Sequence, residues 1–307
     1  MTADDLARPA LQLVGPASID RYIDEGIELP GGGALNMAYH WRSAGHPVTL
    51  LSRVARGHSA AFDHFVTKHG ISVTEGWHAT GDPCSIDIQI ADDRQPEMDG
   101  FVEGVLAGFR LTPAEIELTV NGTSTHFVLV DVIDDALHTI AADRPTDAST
   151  ARWTGDFLSF RHMTGERFSA TMEHLELGIV GWPGNPDDKE ITDLATRTAD
   201  LGRTLIVTFG SKGVLTVDAR GTDRIDRWFD VEARPVTGTT IGCGDAFAAA
   251  SLSTWFRSGD LSAAIDAGRH LGADATEWVG RFQTSPTHAR QTWAVTAGPR
   301  ASETKCP

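Results

Sequence analysis

The stretch Thr239-Thr240-Ile241-Gly242-Cys243-Gly244-Asp245-Ala246-Phe247 stands directly before an apolar run, residues 248–256, that is typical of a buried helix. The two glycines let the backbone turn tightly, so that successive N–H groups converge on one point at the helix start. These groups and the helix dipole stabilise negative charge on a phosphoryl group. Asp245 follows at once, where a carboxylate can accept a proton from an attacking hydroxyl. We interpret Gly242, Cys243, Gly244 and Asp245 as a candidate phosphoryl-transfer centre.

A plainer interpretation of this stretch is an N-capped helix behind a glycine loop, and the local sequence does not separate the two. A second glycine-rich segment, Pro30-Gly31-Gly32-Gly33-Ala34-Leu35-Asn36-Met37-Ala38, also precedes a helix. It is not a dinucleotide fingerprint, because Asn36 occupies the position of the sixth-place glycine and no acidic ribose partner is evident. On its own, this segment indicates only a glycine-rich helix start.

The order of apolar segments predicts an α/β fold. Strands are expected at 11–15 and 48–54, with helices at 34–44 and 59–69 after them. This alternation is typical of a parallel sheet with crossover helices, and it returns in strands at 127–132, 177–181 and 205–208 and a helix at 191–201. Two segments, about 17–30 and 83–103, instead alternate polar and apolar residues, which favours half-exposed antiparallel strands in a small lid.

Charge and composition limit the partners. A formal net charge of −16 argues against nucleic acid and anionic lipid, since no basic patch is evident. No run is apolar enough for a membrane span, and the acidic N-terminus is unlike a signal peptide. Three scattered cysteines and twelve dispersed histidines fit neither a disulfide framework nor a metal cluster. We therefore expect a cytoplasmic protein with no membrane or nucleic-acid partner and no metal-ligating residues.

Four ordered motifs together resemble the ribokinase-like sugar kinases of the phosphofructokinase B type. The segment 239–247 is similar to the family signature D-T-x-G-A-G-D-x-F, and 30–38 is similar to G-G-x-x-x-N. The strand ending at Gly15, with Asp20 beyond it, resembles the family's first strand and its substrate-binding acid. The segment Val207-Thr208-Phe209-Gly210-Ser211-Lys212-Gly213 resembles the T-x-G-x-x-G element of the ATP site.

The resemblance implies a three-layer αβα sandwich with a mostly parallel central sheet and a small β lid. It implies a kinase domain over 1–282, with a C-terminal tail at 283–307. The implied activity is transfer of the ATP γ-phosphoryl group, with Mg²⁺, to a hydroxyl of a small sugar-like molecule. The implied residues are Asp245 as base; Gly242, Cys243 and Gly244 as anion hole; Asp20, Gly31, Gly32, Gly33 and Asn36 at the substrate; and Thr208, Gly210 and Gly213 at ATP.

Some positions depart from the family pattern. Thr239 replaces the Asp that helps relatives to hold a monovalent cation, Asn185-Pro186-Asp187-Asp188 lacks the Glu of N-x-x-E, and Gly33 replaces a larger substrate-touching residue. Within the family, 103–111 and Asp156-Phe157 are similar to fructoselysine 6-kinases, which implies a fructosamine acceptor. A nucleoside kinase and a non-catalytic sugar-binding relative stay open as alternatives. Exposed lid strands make a homodimer through the lid a further expectation.

Overall fold

The structure is a computed structural model that describes residues 8–92, 94–142, 151–160, 163–232 and 234–278. The tail predicted at 283–307 lies outside the described residues. In chain order the strands are β1 (Leu11–Val14), β2 (Ser18–Tyr22), β3 (Ile27–Gly31), β4 (Val48–Leu51), β5 (Val54–Ala55), β6 (Ser72–Val73), β7 (His78–Ala79), β8 (Ser85–Ile90), β9 (Pro96–Val102), β10 (Ser124–Val128), β11 (Arg152–Asp156), β12 (Leu177–Gly181), β13 (Thr204–Thr208), β14 (Val214–Asp218) and β15 (Ile225–Phe229). The helices are α1 (Gly33–Ser43), α2 (Ala60–His69), α3 (Pro113–Asn121), α4 (Asp131–Ala142), α5 (Gly165–Met172), α6 (Lys189–Asp200), α7 (Cys243–Ser258) and α8 (Leu261–Ala275).

The main sheet has nine strands in the order β15-β14-β13-β12-β11-β10-β1-β4-β6. Neighbours from β6 to β13 pair in parallel, and β14 and β15 continue the sheet antiparallel. Parallel neighbours need crossover connections, which the helices supply. The predicted alternation of strands and helices is thereby confirmed.

Helices cover both faces of this sheet, as the strand side chains show. Leu13 and Val128 pack into one apolar cluster with α1, α2, α7 and α8, whereas Val14 and Phe127 pack into a second cluster with helices α4 to α6. Successive residues of a strand point to opposite faces, so each buried strand feeds both clusters. The predicted three-layer sandwich is confirmed.

A second sheet of four strands, in the order β3-β2-β8-β9, comprises the alternating polar segments. The outer pairs are antiparallel, but the central pair, β2 and β8, is parallel, which differs from the antiparallel arrangement expected. The residues of β9 are mostly exposed on this sheet. We call these four strands the lid.

Two predicted strands have wrong bounds. The strand expected at 48–54 ends at Leu51, and Val54 belongs to the separate strand β5. The strand expected at 127–132 ends at Val128, and α4 begins at Asp131. The apolar run 127–130 crosses this boundary, because Leu129 is buried and the residues flanking it pack beside it. Hydrophobicity alone therefore did not mark where the strand ends. Among the described residues, no helix has the length and apolar character needed to cross a membrane.

Candidate active site

A cavity of about 760 Å³ lies between the main sheet and the lid. Its floor is formed where parallel strands end, at Val128, Asp156, Gly181 and Thr208. Residues 98–101 of lid strand β9 line it from the other side. Carboxyl ends of parallel strands are the usual place for ligand binding in open α/β sheets, and this volume is typical of small-molecule sites.

The start of α7 opens onto this cavity. Gly242, the residue before the helix, has φ 78°, a left-handed conformation that favours glycine. A side chain at Gly244 would meet no atom within 4 Å, so the space before the helix start is open. The first amide groups of a helix lack intrahelical acceptors and attract anions. This end of α7 therefore fits a phosphate group.

Cys243 stands at this helix start with an inert thiol. Its backbone N–H donates to the carbonyl of Thr240 at 3.2 Å. Burial, and then the charge of Asp245, raises the pKa of the Cys243 thiol to about 12. The thiolate needed for nucleophilic chemistry is thus disfavoured at neutral pH, in agreement with a packing role.

Asp245 lies in the first turn of α7 and lines the cavity. Its Oδ2 accepts a hydrogen bond of 2.6 Å from Nδ2 of Asn36, which lies 209 residues away on α1. Asn36 is completely buried, so this contact fixes one carboxylate oxygen against the core. Two of the sequence motifs thereby meet at one carboxylate.

The glycines before α1 form the wall next to Asp245. Gly32 has φ 96°, and a side chain there would collide with the carbonyl of Pro16. A Cβ at Gly33 would lie 3.4 Å from Oδ1 of Asp245 and 3.1 Å from Val128, so its absence leaves space at the carboxylate. Gly32 and Gly33 line the cavity.

The remaining predicted substrate residues lie behind this wall. Asp20, on lid strand β2, is 1% exposed and accepts a hydrogen bond of 3.2 Å from the hydroxyl of Ser18. Its carboxylate packs against Gly31, where a side chain could not fit. Asp20, Gly31 and Asn36 are not among the described residues that line the cavity. Their substrate-binding roles stay predictions.

Of the predicted ATP-site residues, Thr208 reaches the cavity at the end of β13. Gly210 and Gly213 form the turn between β13 and β14, closed by the bond from the Phe209 N–H to the Gly213 carbonyl at 2.9 Å. Neither glycine is among the described residues that line the cavity. Lys212, in the same turn, donates to Oδ1 of Asn185 at 2.8 Å. The turn is thereby tied to the segment that follows β12.

Asp156 is the site residue that sequence reasoning missed, having been noted only as a subgroup similarity. It lies at the end of β11, lines the cavity and is 8% exposed. Burial, and then the charge of Asp245, raise the pKa of its carboxyl to about 7, although the N–H of Leu158 opposes this by donating to Oδ1 at 2.8 Å. The signal available was its place after a buried parallel strand.

The cavity wall combines acidic and apolar residues. Its described lining residues include no Lys, Arg or His. The carboxylates are Asp99, Glu103, Asp131, Asp156 and Asp245. The larger apolar residues are Ile86, Met98, Phe101, Leu129, Phe157, Leu158, Phe160, Met163, Ile179, Ile241 and Phe247. Such a wall repels a bare polyphosphate, so a divalent cation that neutralises phosphate oxygens fits it. Among the described residues no three His, Cys, Asp or Glu side chains are grouped to hold a metal ion by themselves.

The comparisons with known proteins agree with this geometry. Residues 165–287 match the family described as pfkB family carbohydrate kinase. None of the curated proteins matches the chain.

Solved structures with this fold include two kinds of kinase. Adenosine kinase from Sinorhizobium meliloti is 17% identical with a TM-score of 0.74, over 93% of this chain and 99% of that one. Ribokinase from Cryptococcus neoformans in complex with ADP is 15% identical with a TM-score of 0.69, over 92% and 99%. Ribokinase from Thermotoga maritima is 15% identical with a TM-score of 0.68, over 89% and 94%. The chain therefore has the ribokinase-like fold, and its residues 165–287 are similar to the pfkB family of carbohydrate kinases.

Proposed function

We propose that the protein is an ATP-dependent kinase that transfers the γ-phosphoryl group to a hydroxyl of a small sugar-like alcohol. One observation carries the proposal: the carboxylate of Asp245 and the open helix start at Gly244 face the same cavity. A base for the acceptor hydroxyl and an anion site for the transferred group are the two elements that this reaction needs from the protein.

In the proposed reaction, the acceptor oxygen forms a bond to the γ-phosphorus, the bond to the β,γ-bridging oxygen breaks, and ADP leaves. The acceptor proton goes to Asp245, whose other oxygen is held by Asn36. The amides at the start of α7 stabilise the negative charge of the transferred group. Mg²⁺, when bound with ATP, supplies charge neutralisation between the phosphates and the acidic wall.

The cavity wall favours an acceptor without negative charge. Its described lining residues include five carboxylates and no basic side chain, so a sugar acid or sugar phosphate would be repelled. Neutral sugars and amine-bearing sugars such as fructosamines suit this wall. The absence of a side chain at Gly33, where a Cβ would lie 3.1 Å from Val128 and 3.4 Å from Oδ1 of Asp245, favours an acceptor larger than a free pentose.

A nucleoside is the second candidate acceptor. Phe101, Phe157 and Phe160 line the cavity and offer faces on which a base can stack. Two adenosine kinases are among the structures with this fold, at TM-scores of 0.74 and 0.73. The same base and anion site would serve a ribose hydroxyl.

An ADP-release assay against sugars, fructosamines and nucleosides tests the proposal. We expect turnover with at least one of these classes of acceptor. In the same assay, Asp245→Asn should lower kcat by about 10² to 10⁴ and leave the affinity for ATP nearly unchanged. Asp223→Asn, at an exposed carboxylate near β15, is the control and should keep wild-type turnover. A near-wild-type kcat in Asp245→Asn would contradict the assignment of Asp245 as the base. Binding without turnover for every acceptor favours a non-catalytic sugar-binding protein.

A further inference from the structure

The lid contacts the loop that leads into the anion site. Nη1 of Arg94, in the turn between β8 and β9, donates to the carbonyl oxygens of Thr237 at 2.9 Å and Gly238 at 3.1 Å. The carbonyl of Arg94 accepts from the N–H of Thr240 at 3.3 Å. Oγ1 of Thr240 donates to Oε1 of Gln95 at 2.7 Å. Arg94 and Gln95 thus contribute four hydrogen bonds to residues 237–240.

Thr240, which is bonded to the lid, is also bonded to α7. Its carbonyl accepts from the N–H of Cys243, the first residue of the helix, at 3.2 Å. On the other side, the N–H groups of Gly238 and Thr239 donate to the carbonyls of Thr276 at 2.8 Å and Trp278 at 3.0 Å. The loop is therefore bonded on one side to the lid and on the other to the residues that follow α8, and Thr240 joins it to the first residue of α7.

The same lid hairpin also forms part of the cavity wall. Met98, Asp99, Gly100 and Phe101 on β9 line the cavity, a few residues beyond Arg94. An acceptor bound in the cavity would contact these residues of the hairpin. The hairpin in turn holds the loop before α7 through Arg94 and Gln95.

The charge of Arg94 has a specific role in this contact. A guanidinium is positive at all physiological pH values, and here it neutralises the partial charges of two carbonyl oxygens that face it. Hydrogen bonds from a charged donor are stronger than neutral ones. The backbone of Arg94 has φ 65°, which is unfavourable for a residue with a side chain, so its contacts hold it there.

We propose that Arg94 is a positioning residue that couples closure of the lid over the acceptor to the arrangement of the anion site at the start of α7. This inference rests on the proposed function. An enzyme coupled in this way completes its phosphoryl site only when the lid is closed, which limits transfer to water.

Substitution of Arg94 tests the coupling. We expect Arg94→Ala to lower kcat for the acceptor by about 10- to 100-fold, because a small displacement of the anion site is costly, with a smaller change in the KM for ATP. Arg94→Lys, which keeps one charge but not the two-carbonyl geometry, should be intermediate. Added guanidinium should restore part of kcat in Arg94→Ala but not in Asp245→Asn. Arg224→Ala, at the turn before β15, is the matched control and should behave as wild type.

Hydrogen exchange separates failure of this inference from failure of the proposed function. In Arg94→Ala the amides of Thr240 and Cys243 should exchange faster, while those of β12 and β13 stay protected. This measurement does not depend on turnover, so it remains informative if the wild-type protein phosphorylates no acceptor. Unchanged exchange at both amides, or wild-type kcat in Arg94→Ala, overturns the coupling. The coupling is also overturned if Arg94→Ala loses kcat, is not rescued by guanidinium and unfolds at a lower temperature, because the loss is then an effect on stability alone.

Discussion

Asp156 carries a carboxyl group in surroundings that disfavour its ionised form. It is 8% exposed, and burial followed by the charge of Asp245 raises its pKa to about 7 against the bond from the Leu158 N–H. Leu158 and Phe160, which follow it along the cavity wall, have left-handed φ values of 53° and 59°. Strained backbone and shifted carboxyl groups cluster at functional sites.

Asp156→Asn is expected to stabilise the folded protein as pH rises. Because the folded-state pKa of Asp156 lies above its unfolded value, the folded protein binds this proton more tightly, and stability falls as pH rises from about 4 to about 7. The amide has no such proton to lose. Thermal unfolding of both proteins at pH 5 and pH 8 should therefore show a larger gain in Tm for the variant at pH 8.

The control for this measurement is Asp131→Asn. Asp131 lines the same cavity with a side chain that is 57% exposed, so its substitution removes a cavity carboxylate without removing a buried one. Parallel pH curves for wild type and Asp156→Asn would contradict the shifted pKa of Asp156. A loss of kcat/KM in Asp156→Asn beside the gain in Tm would identify a residue kept for function at a cost in stability.

The sequence predicted residues of the candidate site only where their role depends on the local conformation of the backbone. Gly242 and Gly32 are glycines because their φ values are positive, and a glycine pattern before a helix is visible in sequence. Arg94 acts through carbonyl groups 143 and 144 residues away. A contact of this kind leaves no periodic pattern, so only the folded chain reveals it.

A buried ion pair joins the first turn of α3 to the segment between β4 and β5. Arg53 donates to Oε2 of Glu115 at 2.7 Å, and these side chains are 9% and 1% exposed. Thr112 and Glu115 also form a capping box at the helix start. Burial raises the pKa of Glu115, but bonds from Arg53, Thr74 and Thr112 outweigh it and hold the pKa below its usual value.

Glu115→Ala is expected to destabilise the fold by about 3 to 5 kcal/mol, since it leaves the Arg53 guanidinium buried without its counter-charge. Urea unfolding at pH 7 measures this. Thr112→Ala, which removes only the cap, should cost about 0.5 to 2 kcal/mol. Because the folded pKa of Glu115 is lowered, the contribution is present at neutral pH and is lost as pH falls below the unfolded value. Equal losses for both variants would show that the ion pair adds nothing beyond the cap.

The bounds of helices with a clear hydrophobic period were predictable from the sequence, whereas the direction in which the lid strands pair was not. Helices α1, α2 and α6 begin and end within two residues of the expected bounds, since glycine or polar residues end their apolar periods. The parallel pairing of β2 with β8 could not be predicted from the sequence. The alternation of polar and apolar residues along a strand is the same whether its neighbour is parallel or antiparallel. Tertiary packing decides that direction.

The fold brings two segments that are 209 residues apart in sequence together on one face of the sheet. Asn36 on α1 and Asp245 on α7 meet because both helices pack on the same face of the sheet, where Nε1 of Trp41 donates to the carbonyl of Ala249 at 2.8 Å. The sequence carries a formal net charge of −16, and the cavity adds its own carboxylates to that field. A nucleotide therefore approaches against a repulsive potential.

Binding of Mg·ATP is expected to become faster as salt is added. Screening at an ionic strength of 0.15 M shortens the range of the protein's field to about 8 Å, which weakens the repulsion of an anionic ligand. At fixed free Mg²⁺, the association rate constant should rise roughly 2- to 5-fold between 10 mM and 150 mM salt, as stopped-flow fluorescence of a labelled nucleotide would measure. The double variant Asp99→Asn/Glu103→Gln, which removes two cavity carboxylates, should show a smaller rise, and a neutral acceptor should show none. A rate constant that falls with salt would instead point to a basic path into the cavity and contradict the acidic wall as the governing field.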